Sequence, residues 1–160
     1  MKDLLFKTDD FVFSYRVAGI LIHDGKILLQ TAGDDPGFAF PGGHVAYNET
    51  HEETLTREFR EEMGLEIRVD ELKWVGEIFF PWGKKPCHQI CLYYLVAPKD
   101  PADLSNLSMA AQDEVGDTKA KLRFHWVPLE AIPTAEIYPE NAKALLFQLD
   151  QNVKHFIYRE

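Results

Sequence analysis

Residues 43–65, Gly-His-Val-Ala-Tyr-Asn-Glu-Thr-His-Glu-Glu-Thr-Leu-Thr-Arg-Glu-Phe-Arg-Glu-Glu-Met-Gly-Leu, contain one helix whose two ends are written into the chain. Thr50 with Glu53 three residues later forms a capping box, and Gly64 suits the left-handed residue that closes a helix. These signals predict a helix over about 51–63. At about 100° per residue, Leu55, Phe59 and Met63 fall on one apolar stripe, while Glu58, Glu61 and Glu62 crowd a sector about 110° away. One side packs and the other is acidic.

An acidic sector is most often a solvated face, and Arg57 and Arg60 are close enough in sequence to offset it. Two local rules are broken, however. Glu58 and Glu62 are a like-charge pair one turn apart, and Glu61 and Glu62 sit in the last turn, where the helix dipole disfavours anions. Each conflict costs roughly a few tenths of a kcal/mol, and conflicts that coincide point to a site. Three carboxylates on one patch are hard oxygen ligands suited to Mg²⁺ or Mn²⁺, which commonly bind through carboxylates plus substrate phosphates.

The segment resembles the Nudix box, Gly-x5-Glu-x7-Arg-Glu-U-x-Glu-Glu-x-Gly-U with U apolar. Gly43, Glu49, Arg57, Glu58, Phe59, Glu61, Glu62, Gly64 and Leu65 occupy its fixed positions. The flank Phe40-Pro41-Gly42-Gly43 is similar to the family's usual lead-in, and the tract from about Tyr15 to Leu146 is ordered like one Nudix domain. The resemblance implies an α/β protein, the Nudix α/β/α sandwich with a mixed central sheet, as a single domain over 1–160. It also implies metal-dependent hydrolysis of a diphosphate linked to another moiety, by water attack on phosphorus, with Mg²⁺ as the cofactor and Mn²⁺ as its substitute.

Residue by residue, the resemblance makes Glu58 and Glu62 the principal metal ligands and Glu61 a further ligand or the group that orients or deprotonates water. A backbone carbonyl near the first glycine, here Gly42, can also ligate metal. Arg57 and Glu49 pair to fix the geometry of loop and helix. The family does not place its general base uniformly, so Asp113, Glu114 and Asp117 downstream are candidates, with His125 as an outsider. Each of these is, on its own terms, an ordinary loop charge.

The box does not choose a substrate. A proline some fifteen residues past it is associated with ADP-ribose hydrolases, and Pro81 lies one place later than that. The expected substrate is a small nucleotide, either a nucleoside triphosphate or ADP-ribose. The alternative is a non-catalytic Nudix domain that binds a nucleotide as a sensor. Such proteins often lose box carboxylates, and this chain keeps all of them. An isopentenyl diphosphate isomerase-like activity is disfavoured because neither Cys87 nor Cys91 has a convincing catalytic context. The resemblance also admits a homodimer.

Composition narrows the remaining classes. With 160 residues, 46% hydrophobic and 12% aromatic, the chain is long and apolar enough for a packed core. A net charge of −9 argues against nucleic-acid polymers, whose phosphate backbone calls for a basic patch. The first eleven residues carry no apolar signal core, and the longest apolar run, Ile90 to Ala97, is far short of the ~20 residues that span a bilayer. No membrane role and a cytoplasmic location are expected. Cys87 and Cys91, four apart in a strand, lie too far from each other for a disulfide. They read as buried structural thiols, with a zinc site including His88 as the weaker option.

Along the chain, Tyr15–Ile22 and Ile27–Gln30 read as strands joined by an Asp24-Gly25 turn. Residues 31–37 form a loop, and Phe38–Phe40 a short strand leading into Pro41-Gly42-Gly43. Leu65–Phe80 and Cys87–Val96 read as strands around a tip, 81–86, that carries Lys84 and an exposed-looking Trp82. That tip is either a solvated hairpin end or, with Phe40, part of the substrate site, Trp82 stacking on a base and Lys84 pairing with phosphate. Residues 98–120 read as a long loop with a short helix at 109–114. Leu122–Val127 is the last strand, and a closing amphipathic helix is expected over about 139–153 with Ala142, Leu145, Leu146, Leu149 and Val153 on one side.

Overall fold

The computed structural model describes the backbone of residues 2–115 and 118–160 and the side chains of 2–112 and 119–160. In chain order the strands are β1 (Leu5–Lys7), β2 (Val12–Ile20), β3 (Ile22–His23), β4 (Lys26–Ala32) and β5 (Gly42–His44), followed by helix α1 (His51–Met63). Then come β6 (Ile67–Trp82), β7 (Lys85–Pro98), a 3-10 helix (Pro101–Asn106), β8 (Ala110–Val115) and β9 (Thr118–Pro128). A second 3-10 helix (Leu129–Thr134), the one-turn α2 (Ala142–Leu145) and β10 (Lys154–Arg159) complete the order.

The main sheet runs β1-β2-β7-β6-β10, and β5 pairs beside β1 on the free edge of β2. It is mixed, with β2 parallel to β7 and β10 parallel to β6. A second sheet runs β3-β4-β9-β8. Strand alternation sends successive residues of β2 to opposite faces. Val17 joins Leu55, Phe59 and Met63 of α1 in one apolar cluster, while Ala18 and Ile20 join Phe40, Trp74, Tyr93, Ala142 and Phe156 in another. Helix α1 therefore covers one face of the main sheet, and α2 with its neighbouring segments packs on the other.

Local chemistry accounts for the connections. Asp24 and Gly25 both hold positive φ, 51° and 72°, as the two-residue β3–β4 hairpin requires. Gly83, at φ 61°, opens an equally tight turn between β6 and β7. The expected six-residue tip is thus corrected to two residues, because Pro81, Trp82, Lys85 and Pro86 all belong to the ladder. Trp82 is buried against Val12 and Cys87 instead of exposed.

Two further expectations are overturned. The helix expected at 109–114 in a long loop is replaced by strand β8 (Ala110–Val115), which pairs antiparallel with β9 from Ala110↔Arg123 onward. The closing helix over 139–153 shrinks to Ala142–Leu145. The apolar spacing suits a helix, but Gln148, Asp150, Gln151 and Asn152 supply no face worth burying, and Val153 is exposed. The chain then alternates as His155-Phe156-Ile157-Tyr158 and adds to the sheet. Phe156 lies over Gly76 of β6, where any β-carbon would meet its ring.

Candidate active site

Helix α1 begins and ends as its sequence demands. Thr50 Oγ1 accepts from the Glu53 amide at 3.2 Å while the Glu53 carboxylate accepts from the Thr50 amide at 2.8 Å, and Gly64 closes the helix at φ 69°. This fixes the rotation of the helix, and with it the direction of every box side chain.

Glu49, in the loop before the helix, is bound by Arg57 through two parallel hydrogen bonds of 2.9 and 3.0 Å, and Thr54 donates to it at 2.9 Å. The Arg57 guanidinium holds the Glu49 carboxyl below its ordinary range, with burial opposing, and is itself held more firmly protonated. Arg57 also donates to Glu58 at 2.9 Å and to Glu61 at 3.4 Å. Arg60, which also borders the groove, pairs with Glu66 at 2.6 and 3.0 Å. Arg57 thus offsets three box carboxylates, Glu49, Glu58 and Glu61.

The acidic residues occupy different depths. Glu62 is 7% exposed, with both carboxylate oxygens out of solvent, whereas the Glu61 side chain is 59% exposed at the rim. Glu58 lies on β5: a β-carbon on Gly43 would fall 2.8 Å from Glu58 Cγ and closer still to its carboxyl group. Gly43 is therefore a cradle for that carboxylate. Gly42 is glycine for a separate reason, since a β-carbon there would strike the Val17 carbonyl and Ala18 Cα of β2. The three carboxylates border an open groove with Ser108 and Gln112.

On the opposite face of β5 from Glu58, His44 borders a second cavity of about 470 Å³. Phe40, Trp82 and Tyr93 supply aromatic walls, and Arg16, Gln30 and Gln89 supply polar groups. Ser14 donates to Gln89 Oε1 at 3.0 Å and lies 3.0 Å from His44 Nε2, which fixes two of these groups. Burial, with Arg16 and Lys7 nearby, pushes the His44 imidazole down to about 3, so it is neutral at pH 7.

The structure thus gathers Glu58, Glu61, Glu62 and Arg57 in one groove and Phe40 and Trp82 in a neighbouring cavity. Lys84 stands apart, exposed in the β6–β7 turn and lining neither. Asp113 and Glu114 lie in β8, opposite Ala120 and Lys119. Their side chains, and Asp117 altogether, fall outside the described residues. His125 bonds Thr31 Oγ1 at 2.9 Å and packs on Phe38. Cys87 and Cys91 are buried free thiols whose ionisation burial pushes up to about 11, so they are inert at neutral pH.

Arg16, Gln30, His44 and Gln89 are cavity residues that sequence reasoning missed. The available signal was polarity inside otherwise apolar strands: Arg16 within Val12–Ile20, Gln30 directly after Ile27–Leu29, and Gln89 between Cys87 and Cys91.

A mixed sheet faced by an acidic, doubly capped helix makes this an α/β protein with a carboxylate site at a sheet edge. The NUDIX domain family matches residues 14–147, so the chain belongs to the Nudix family and is a Nudix-type hydrolase. It is 31% identical over 125 residues to YtkD of Bacillus subtilis, named as an 8-oxo-dGTP diphosphatase, which spans 78% of this chain and 72% of that one. It is 46% identical over 59 residues to an ADP-ribose pyrophosphatase of Methanocaldococcus jannaschii, 35% of each chain. The fold superposes on the mutator MutT protein of Bacillus halodurans with a TM-score of 0.62 at 17% identity, covering 91% of this chain and 90% of that one. Nudix hydrolases generally use divalent metals. Among the described residues no helix is long and apolar enough to cross a membrane.

Proposed function

We propose that this chain hydrolyses the pyrophosphate bond of a small nucleotide, of the nucleoside triphosphate or ADP-ribose type, with a divalent metal and water attack on phosphorus. The observation that carries this reading is the Glu58 carboxylate seated on the bare backbone of Gly43, on the same groove as Glu61 and the buried Glu62.

The donor set suits Mg²⁺ or Mn²⁺. Glu58, Glu62, Glu61 and the Gly42 carbonyl are all hard oxygen donors. Among the described residues no three His, Cys, Asp or Glu side chains are gathered closely enough to hold an ion alone. Mg²⁺ is commonly held by one or two carboxylates that share it with water and substrate phosphates. When bound, a divalent ion supplies a Lewis acid, worth several kcal/mol against charge developing on phosphoryl oxygens.

The chain's own residues do the rest. Arg57, committed to Glu49 and Glu58, positions the helix and is not a substrate ligand. Glu61, exposed at the rim, orients the attacking water or takes its proton. Phe40 and Trp82 border the base, which lies in the cavity, while the phosphates cross β5 to reach the groove. Lys84 is not needed at either end.

The test is hydrolysis of nucleoside triphosphates, ADP-ribose, NADH, diadenosine polyphosphates and CoA with Mg²⁺ or Mn²⁺, comparing wild type with Glu62→Gln. Cleavage of one substrate class that falls by about 10²-fold or more in the variant supports the reading, a loss typical of removing one strong electrostatic contact. Binding of a nucleotide without any cleavage would overturn it.

A further inference from the structure

Gln30 stands out among the polar groups of the 470 Å³ cavity. It is 9% exposed, and its Oε1 is out of solvent with no hydrogen-bond partner among the described residues. The other carboxamide of the cavity, Gln89, has its acceptor met by Ser14. A buried acceptor left unmet is costly, so a ligand N–H that meets it gains affinity.

The surroundings of Gln30 say what the ligand looks like. Its amide N–H bonds the Ala39 carbonyl at 2.8 Å, which places it three residues upstream of Gly42. Ala18, Ala32, Phe40 and Leu122 supply apolar lining to the same cavity, which Asp35, Tyr138 and Tyr158 also border. At the other end, Arg16 pairs in the sheet with His44, next to the Gly43 that carries Glu58. The cavity therefore holds a cation, Arg16, on the strand paired with β5, and an unmet acceptor, Gln30, on β4.

We propose that Gln30 is the base-reading residue of this enzyme, and that its carboxamide takes the amino edge of an adenine whose phosphates lie toward Arg16 and the box. A carboxamide presents an acceptor beside a donor, which matches the amine and adjacent ring nitrogen of adenine bidentately. The polarity of the cavity rests on the diphosphatase reading above, whereas the match to the amine rests on Gln30 alone.

The test compares binding of AMP with purine riboside 5′-monophosphate, the same nucleotide without its amine, to the whole chain in EDTA. Neither ligand has a pyrophosphate to cleave, so calorimetry reads binding and no turnover is needed. Wild type is expected to prefer AMP by about 10- to 100-fold. Gln30→Met, similar in length and without the acceptor, is expected to erase the preference while melting no lower than wild type. Arg16→Met is expected to weaken both ligands alike. Equal binding of the two nucleotides by wild type, binding of neither, or a preference that survives Gln30→Met overturns the proposal. Because the wild-type comparison uses the unaltered chain, a poorly folding variant cannot rescue it. Cleavage of a panel substrate without an AMP preference would sink the Gln30 assignment and leave the diphosphatase reading standing. An AMP preference without cleavage would do the reverse.

Discussion

Gly43→Ala is expected to remove most of the activity and little of the stability. The added β-carbon would meet Glu58 at 2.8 Å from Cγ and closer at the carboxyl group, the far end of a flexible side chain. Glu58 can swing aside, so the cost falls near the low end of overpacking, about 1 kcal/mol, or about 2–4 °C in melting temperature for a chain of this size. A carboxylate displaced by about 1 Å from its working position costs on the order of 10²-fold in rate. Gly42→Ala makes the contrast. Its β-carbon would strike the Ala18 Cα at 2.7 Å and the Val17 carbonyl more closely, and backbone cannot swing away. Strand β5 must then part from β2, for about 3 kcal/mol and about 6–12 °C. Thermal melts and steady-state hydrolysis on both variants separate these outcomes. In a Glu58→Gln background, Gly43→Ala is expected to add almost no further loss, since both act on one carboxylate. The reasoning is refuted if Gly43→Ala retains more than half of wild-type kcat/KM, or if it destabilises as much as Gly42→Ala.

Glu49→Gln is expected to cost about 1–3 kcal/mol at neutral pH, because the Arg57 fork and the Thr54 hydroxyl lose a charged acceptor in a site only 16% exposed on the Glu49 side. Since the folded carboxyl titrates below its ordinary 4.5, that contribution is full above pH 4.5 and fades as pH falls below it, so acid melts of variant and wild type should converge. His51, held between the Tyr15 and Tyr94 hydroxyls, is kept neutral by burial, its titration lying below the ordinary 6.5. Stability is therefore complete above pH 6.5 and declines below it as the unfolded chain gains a proton first, and His51→Phe is expected to flatten that part of the pH–stability curve.

The parts of this molecule that the sequence made legible are those decided within a few residues. The ends of α1 were readable because Thr50, Glu53 and Gly64 satisfy helix termini locally, and the Asp24-Gly25 hairpin because positive φ is demanded at both positions. The box groove was readable because its carboxylates share one helix face. What escaped depends on partners distant in sequence. Strand β8 is a strand only because β9 pairs with it, and β10 only because the edge of β6 is open and Gly76 leaves room for Phe156. Trp82 looked exposed beside Gly83 and two lysines, yet Val12 of β2 covers it. The cavity escaped for the same reason, since Arg16, Gln30, His44 and Gln89 come from β2, β4, β5 and β7 and meet only once the sheets are assembled.

The central claim is that the α1 carboxylates hold a divalent ion for pyrophosphate cleavage. Its most direct test is a Mn²⁺ titration followed by electron paramagnetic resonance, on wild type, Glu58→Gln, Glu62→Gln and the exposed-face control Glu52→Gln. The account predicts saturable Mn²⁺ binding that weakens by about tenfold or more in the first two variants and is unchanged in the third, with hydrolysis lost in parallel. Mn²⁺ binding and hydrolysis that survive in both Glu58→Gln and Glu62→Gln would contradict it.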